Sequence, residues 1–224
     1  MKNLIFDFEL DLLSNSEYSE IIDFLNVTDV GIEAHISDLL DLNKAGSING
    51  FSKLTLRESE GINTKNLKNE LSKNRKKFEL IIVEPLSAGV AAIAARDRRV
   101  DGVRISQNSM LKIFNTRYGR RLSENKKLVV IDLSLFWDGH LAKNLRPLFR
   151  VLRSFSKCNL QYILSKKSNH VSKLRTYRGL QSIGRLLGIS NKQSDLKSLK
   201  ELINKNQKKI EGKIPIEGVE IIEW

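Results

Sequence analysis

The chain has 224 residues, of which 41% are hydrophobic, 29% charged and 7% aromatic, with one cysteine, Cys158. That apolar content supports a full-sized core and excludes an intrinsically disordered chain, while a lone cysteine excludes a disulfide framework and fits a reducing compartment. Lys and Arg number 38 against 26 Asp and Glu, a net of +12, and so basic a body attracts a polyanion: RNA, DNA or an anionic membrane surface.

The charge is lopsided. Residues 1–60 carry 4 basic and 12 acidic side chains, whereas residues 61–224 carry 34 and 14. No apolar run reaches the roughly 18 residues that a spanning helix requires. The start, Met1 to Asp11, holds Asp7 and Glu9 before any long apolar stretch and does not read as a signal peptide. The expectation is a cytoplasmic protein with no membrane partner.

In chain order, seven short β-branched or apolar runs read as strands: 4–8, 29–34, 51–56, 80–83, 100–105, 128–133 and 160–164. Several are apolar on both faces, as buried parallel strands are. Helical patterns lie between them. Ser16 and Glu17 precede Ile21, Ile22 and Leu25. Thr64 is placed to cap a helix over 65–77, and Ser87 to cap a small-residue helix over 88–95. Asn144 precedes Leu145, Leu148, Phe149, Leu152 and Phe155. Thr176 precedes Leu180, Ile183, Leu186 and Leu187, with Gly188 as the stop, and Ser190 or Asn191 opens a last helix through Leu196, Leu199, Leu202 and Ile203.

Strand–helix alternation with no long antiparallel stretch predicts a parallel α/β sheet. Seven such strands predict a TIM-barrel-like domain over residues 1–206, irregular at its closing seam. Residues 207–224 read as a tail, with 218–224 a possible final strand. An open doubly wound sheet would usually carry a Gly-rich first turn, which Asp7-Phe8-Glu9-Leu10 is not.

In such barrels reactive groups gather where the strands end. Asp7, Glu9, Glu33, His35, Glu84, Asp132, Ser134, Ser165 and Lys166 fall there, with His140 and His170 in the following loops. A stand-alone metal-dependent phosphoesterase using His35, His140, His170 and nearby acids is therefore the alternative reading. It is weakened by histidines that stand singly and far apart, where metal hydrolases place ligands at close spacing. No GxSxG, P-loop or GxGxxG pattern is present. Cys158 reads as a small buried residue rather than a nucleophile.

The basic groups form clearer patterns. Lys143, Arg146, Arg150, Arg153 and Lys157 recur at spacings of 3 and 4, which aligns them on one helix face. No acid lies between Asp138 and Asp195, so the stripe repels itself without local compensation. A second cluster is Lys166, Lys167, Lys173, Arg175 and Arg178 around Tyr177. A third, Arg117-Tyr118-Gly119-Arg120-Arg121 with Lys126 and Lys127, reads as a flexible RNA-contacting or solvated loop. The turn Arg96-Asp97-Arg98-Arg99-Val100-Asp101 joins a helix end to a strand start; a structural role is the default on that face, with an RNA role open for Arg98.

That turn, following an Ala-rich helix, resembles the RDxRVD signature of the ribonuclease P protein component 3 family, archaeal and eukaryotic. Leu128–Ser134, Arg146–Ser154, Tyr162–Ser165 with Leu174–Leu180, and Gly188-Ile189-Ser190 resemble further segments of that family in the same order. Two departures are Lys166-Lys167-Ser168, where the family has a small SGA turn, and Arg178-Gly179, where it has Arg-Asp. The resemblance implies a TIM-like barrel serving as a protein subunit of ribonuclease P, the endoribonuclease that removes the 5′ leader from precursor tRNA. It implies that this chain has no catalytic residues and binds no cofactor or metal, catalysis and Mg²⁺ belonging to the RNA subunit. The implied partners are ribonuclease P RNA, a small ferredoxin-like protein subunit and, through the holoenzyme, precursor tRNA. The RNA-binding residues expected are Lys143, Arg146, Arg150, Arg153, Lys166, Lys167, Lys173, Arg175, Arg178 and Arg98.

Overall fold

A computed structural model describes residues 32–33, 51–107, 109–133, 141–165, 177–190, 192–194 and 196–212, with 32–33 and 141–144 as backbone alone. Six strands form one sheet: β1 (Ile32–Glu33), β2 (Ser52–Arg57), β3 (Leu80–Glu84), β4 (Gly102–Ile105), β5 (Leu128–Asp132) and β6 (Gln161–Ser165). Every neighbouring pair is parallel, and spatial order equals chain order, β1 to β6. A doubly wound sheet reverses direction at a switch point. The described strands show no such reversal, as in the TIM-type arrangement. The run expected as a strand at 4–8 lies outside the described residues.

Seven α-helices are described: α1 (Leu67–Asn74), α2 (Ala88–Arg96), α3 (Met110–Ile113), α4 (Thr116–Glu124), α5 (Leu141–Phe155), α6 (Tyr177–Leu186) and α7 (Leu196–Ile210). Ser87 caps α2 as its sequence suggests, its hydroxyl accepting from Val90 N at 3.3 Å. The start of α1 is set differently. Asn63 accepts from the backbone of Lys65 and Asn66 at 2.9 and 3.1 Å, and Thr64 plays no such part. Gly188, at φ +83°, ends α6 in a left-handed turn that L side chains resist; its N–H reaches Arg185 O and that of Ile189 reaches Gly184 O, both at 2.9 Å. Ser190 does not open α7. It closes a local turn with Gln193, and the helix begins at Leu196 and runs to Ile210, so residues 207–210 are helical rather than tail. The possible strand at 218–224 lies outside the described residues.

The segment expected as a flexible loop at 117–121 is helix α4. Asn115 caps it by accepting from Tyr118 N at 3.0 Å, and Tyr118, Gly119 and Leu122 turn into the core. Gly119 serves contact rather than mobility: a Cβ there would lie 2.7 Å from Phe155 Cδ1, so α4 rests against α5 almost backbone to ring. Tyr118 donates its hydroxyl proton to Ala91 O at 3.1 Å and meets Phe114 edge-on, tying α4 to α2 and α3. Cys158 is buried beside this joint.

The sheet separates two chemistries. Leu164 touches α6 at Gly184, so residues of its parity (Ile81, Val83, Val103, Ile105, Val129, Ile131, Tyr162) face helices, and all are buried. The opposite face carries Lys53, Thr55, Arg57, Glu84, Arg104, Asp132 and Ser165, mixed with Ile82, Val130 and Ile163. No described helix is long and apolar enough to cross a membrane.

Candidate nucleic-acid interface

At the carboxyl ends of the strands the polar face forms a chain of ion pairs. Arg57 Nε lies 3.5 Å from Glu84 Oε2, Arg104 Nε lies 3.7 Å from the same oxygen, and Arg104 Nη2 bonds Asp132 Oδ2. These side chains come from four successive strands and are largely buried. Three of the strand-end groups named from sequence, Glu84, Asp132 and Ser165, therefore do gather on one face. The two carboxylates share the guanidinium of Arg104, which occupies the space between them and offsets their charge. Among the described residues, no three His, Cys, Asp or Glu side chains are grouped to hold a metal ion. His35, His140 and His170, with Asp7, Glu9 and Ser134, lie outside the described residues, as does the side chain of Glu33.

The opposite, amino end is a second polar network. Asp101 accepts from Arg75 Nη1 at 2.5 Å, Ile81 N at 2.8 Å and Asn206 Nδ2 at 3.0 Å, which joins α1, β3 and α7 around the start of β4. Burial pushes the Asp101 carboxyl above its ordinary range, and Arg75 works against that. Asp97 grips Arg99 through Nε and Nη2 at 2.9 and 2.6 Å, and this holds its carboxyl below the usual aspartate range. The turn that resembles a family signature is thus mainly architectural: its two acids knit the loop, and Asp101 takes Arg75 rather than one of the turn's own arginines. Lys127, placed by sequence in a basic cluster, is buried. It donates to Asp97 O at 2.7 Å and to Val100 O, so it braces the same turn, and burial lowers its pKa.

Many of the exposed cations lie on the outer helices. Arg146, Arg150 and Arg153 stand on the solvent side of α5, while Leu148, Val151, Leu152 and Phe155 of that helix enter the core. From Arg146 to Arg153 is about 10 Å along the axis, so the three arginines form one continuous stripe. Phe149, expected among the apolar core positions, is instead 45% exposed and stands between Arg146 and Arg153 on that face. It helps line a cleft of about 380 Å³ between α5 and α6, together with Arg153, Tyr162, Arg185 and Leu186. Sequence reasoning missed Phe149 and Arg185; the spacing of Phe149 from Arg146 and Arg153, 3 and 4 residues, was the available signal. Arg178 is exposed at the start of α6, and Arg98 is exposed at the turn before β4. Lys166, Lys167, Lys173 and Arg175 lie outside the described residues, and of Lys143 only the backbone is described. The sites named from sequence thus divide among the α5 stripe, the start of α6 and the amino-end turn.

No protein-family model matches the chain, and no curated protein matches it by sequence. Solved structures do. A chain in the cryo-EM structure of archaeal ribonuclease P with mature tRNA superposes with a TM-score of 0.74 at 13% identity, covering 98% of each chain. Histidinol phosphate phosphatase from Lactococcus lactis subsp. lactis Il1403, solved with zinc, L-histidinol and phosphate, superposes with a TM-score of 0.52 at 12% identity, covering 84% of this chain and 93% of that one. At such identities the likeness establishes a shared fold: an α/β architecture of the TIM-like kind.

Proposed function

We propose that this chain is an RNA-binding protein subunit of ribonuclease P, supporting RNA-catalysed removal of the 5′ leader from precursor tRNA and cleaving no bond itself. The observation that carries this reading is the end-to-end likeness, 98% of each chain, to a component of an archaeal ribonuclease P assembly. The segment order that resembles ribonuclease P protein component 3 points the same way from sequence alone. The acid-free arginine stripe on α5 supplies a means of contact. Arg146, Arg150 and Arg153 neutralise phosphates that a folded RNA crowds together, releasing condensed counterions, so binding weakens as salt rises. Lys143, Lys166, Lys167, Lys173, Arg175, Arg178 and Arg98 are the remaining proposed contacts. A small ferredoxin-like protein subunit is the proposed protein partner, Mg²⁺ belongs to the RNA, and the cytoplasm is the proposed compartment.

The test is reconstitution. Ribonuclease P RNA and the remaining subunits are assembled with and without this chain, and cleavage of precursor tRNA is followed at limiting Mg²⁺. Addition of the chain raises the cleavage rate; an unchanged rate overturns the proposal. The second reading, a metal-dependent phosphoesterase, draws on the likeness to a zinc-bound phosphatase. It requires a stoichiometric metal in the purified protein and phosphate-ester hydrolysis without RNA. The Arg104 bridge between Glu84 and Asp132 weighs against it.

A further inference from the structure

Three stretches distant in sequence meet at the amino end of the sheet. They are the turn before β4, the turn between α4 and β5, and the middle of α7, and between them they enclose a cleft of about 430 Å³. Arg98, Lys126, Lys205 and Lys209 line it, with Lys127 beneath. The lining acids are two, Asp101 and Glu124, and Asp101 is already engaged by Arg75, Ile81 N and Asn206. The cleft therefore carries an excess of positive charge gathered by the fold, a juxtaposition that no single sequence cluster contains.

The walls are fixed. Asn206 bonds Glu79 O at 2.8 Å as well as Asp101, which sets α7 and its Lys205 and Lys209 against the strand starts. Lys127 clamps the turn that bears Arg98. Lys126 holds a backbone φ of +50°, a left-handed conformation that costs a non-glycine residue some free energy, and its side chain is exposed. A frame already in place spares an incoming anion the cost of ordering the turns, leaving only that of the lysine and arginine side chains.

We infer that this cleft is a second RNA contact, binding the phosphodiester backbone through Arg98, Lys126, Lys205 and Lys209, apart from the α5 stripe. The inference rests on the RNA-binding reading above. The exposed large apolar side chains among the described residues are Leu111, Phe149, Leu186 and Ile210, and none lines the cleft. A protein partner usually needs a buried aromatic or aliphatic anchor. A polyanion does not, and lysine serves phosphate as a point charge.

The test compares the full chain with three double variants: Lys126→Asn with Lys209→Gln in the cleft, Arg146→Ala with Arg150→Ala on α5, and Lys73→Ala with Lys76→Ala on the exposed end of α1 as a control for net charge. Asn tolerates the left-handed backbone at position 126, and all these side chains are exposed, so thermal midpoints check that each variant folds. Binding to ribonuclease P RNA is measured across a salt series. The cleft variant is expected to weaken binding several-fold and to lower the slope of log K against log salt by about one to two units, at roughly 0.7–0.9 per phosphate contact. The α1 control should lower it distinctly less. A cleft variant matching the control, while the α5 variant loses affinity, overturns the cleft and leaves the RNA-binding reading intact. Wild-type binding by all three variants overturns both. Saturation of the wild-type cleft by inorganic phosphate at micromolar concentration, abolished by the cleft variant, would mark a small-anion site instead and also overturn the inference.

Discussion

Lys126 and Lys127 are adjacent and chemically identical, yet the fold gives them opposite tasks. Lys126 stands in solvent at the rim of a cationic cleft, whereas Lys127 is buried with its ammonium on two backbone carbonyls. Nothing in the local sequence separates them, because the difference arises from β5 beginning at Leu128 and drawing Lys127 against the preceding turn. Gly119 makes the same point in reverse. A glycine flanked by arginines and a tyrosine reads as a loop, but here it admits a phenyl ring. Gly119→Ala places a methyl 2.7 Å from Phe155 Cδ1, and an overpacked joint of this kind costs about 1–3 kcal/mol. Urea unfolding should show that loss, with RNA affinity unchanged below the transition. Asp97 gives a pH-dependent case. Its folded pKa lies below the ordinary value because Arg99 holds the charged form. Its stabilisation is therefore present above roughly pH 4 and is lost as pH falls through the folded value. Asp97→Asn should lower the urea midpoint at pH 7, and the gap from wild type should narrow at pH 3. The upward-shifted acids, buried Asp101 and half-buried Glu79, are common to both proteins and cancel in that difference.

At the scale of elements, five of the seven strand runs read from sequence appear within a residue or two of their expected bounds, and a sixth is represented by Ile32–Glu33. Buried parallel strands are continuous apolar runs closed by turns, a pattern that survives without tertiary information. Helix starts were less legible. Thr64 is a good capping residue that the chain leaves unused, because Asn63 satisfies the nearby backbone groups first, and Ser190 caps a turn through Gln193 instead of α7. The face of α5 was half legible: spacing placed Arg146, Arg150 and Arg153 together, but only the packing of α5 against α3 and α4 decides that Phe149 joins them. Each arginine on this helix should count separately in binding. Changing Arg146, Arg150 and Arg153 together to alanine should lower the salt slope for RNA by about two units with a thermal midpoint near wild type. A triple variant that bound with the wild-type slope would show that α5 faces away from RNA.

For the whole molecule, the candidate site was legible as chemistry and not as geometry. Composition gives the expectation of a polyanion partner, and the order of motifs resembles a ribonuclease P subunit. The gathering of Arg98, Lys126, Lys205 and Lys209 was invisible, because 111 positions separate the first from the last. The same holds for the strand-end pairs: Glu84 and Asp132 invite a metal in sequence, and only the register that sets Arg104 between them supplies the cation.

The unbroken succession of the strands bears on how the molecule comes into being. Each described strand from β2 onward finds its next partner 20 to 33 residues later in the chain, so among the described strands every addition closes a modest span. Such spans keep contact order low for a parallel sheet, and domains tend to form from the amino end during synthesis. A nascent chain leaving the ribosome can therefore accrete strand upon strand. The lysines of α7 follow all six described strands in the chain, so the cationic cleft is completed only after the sheet beneath it exists.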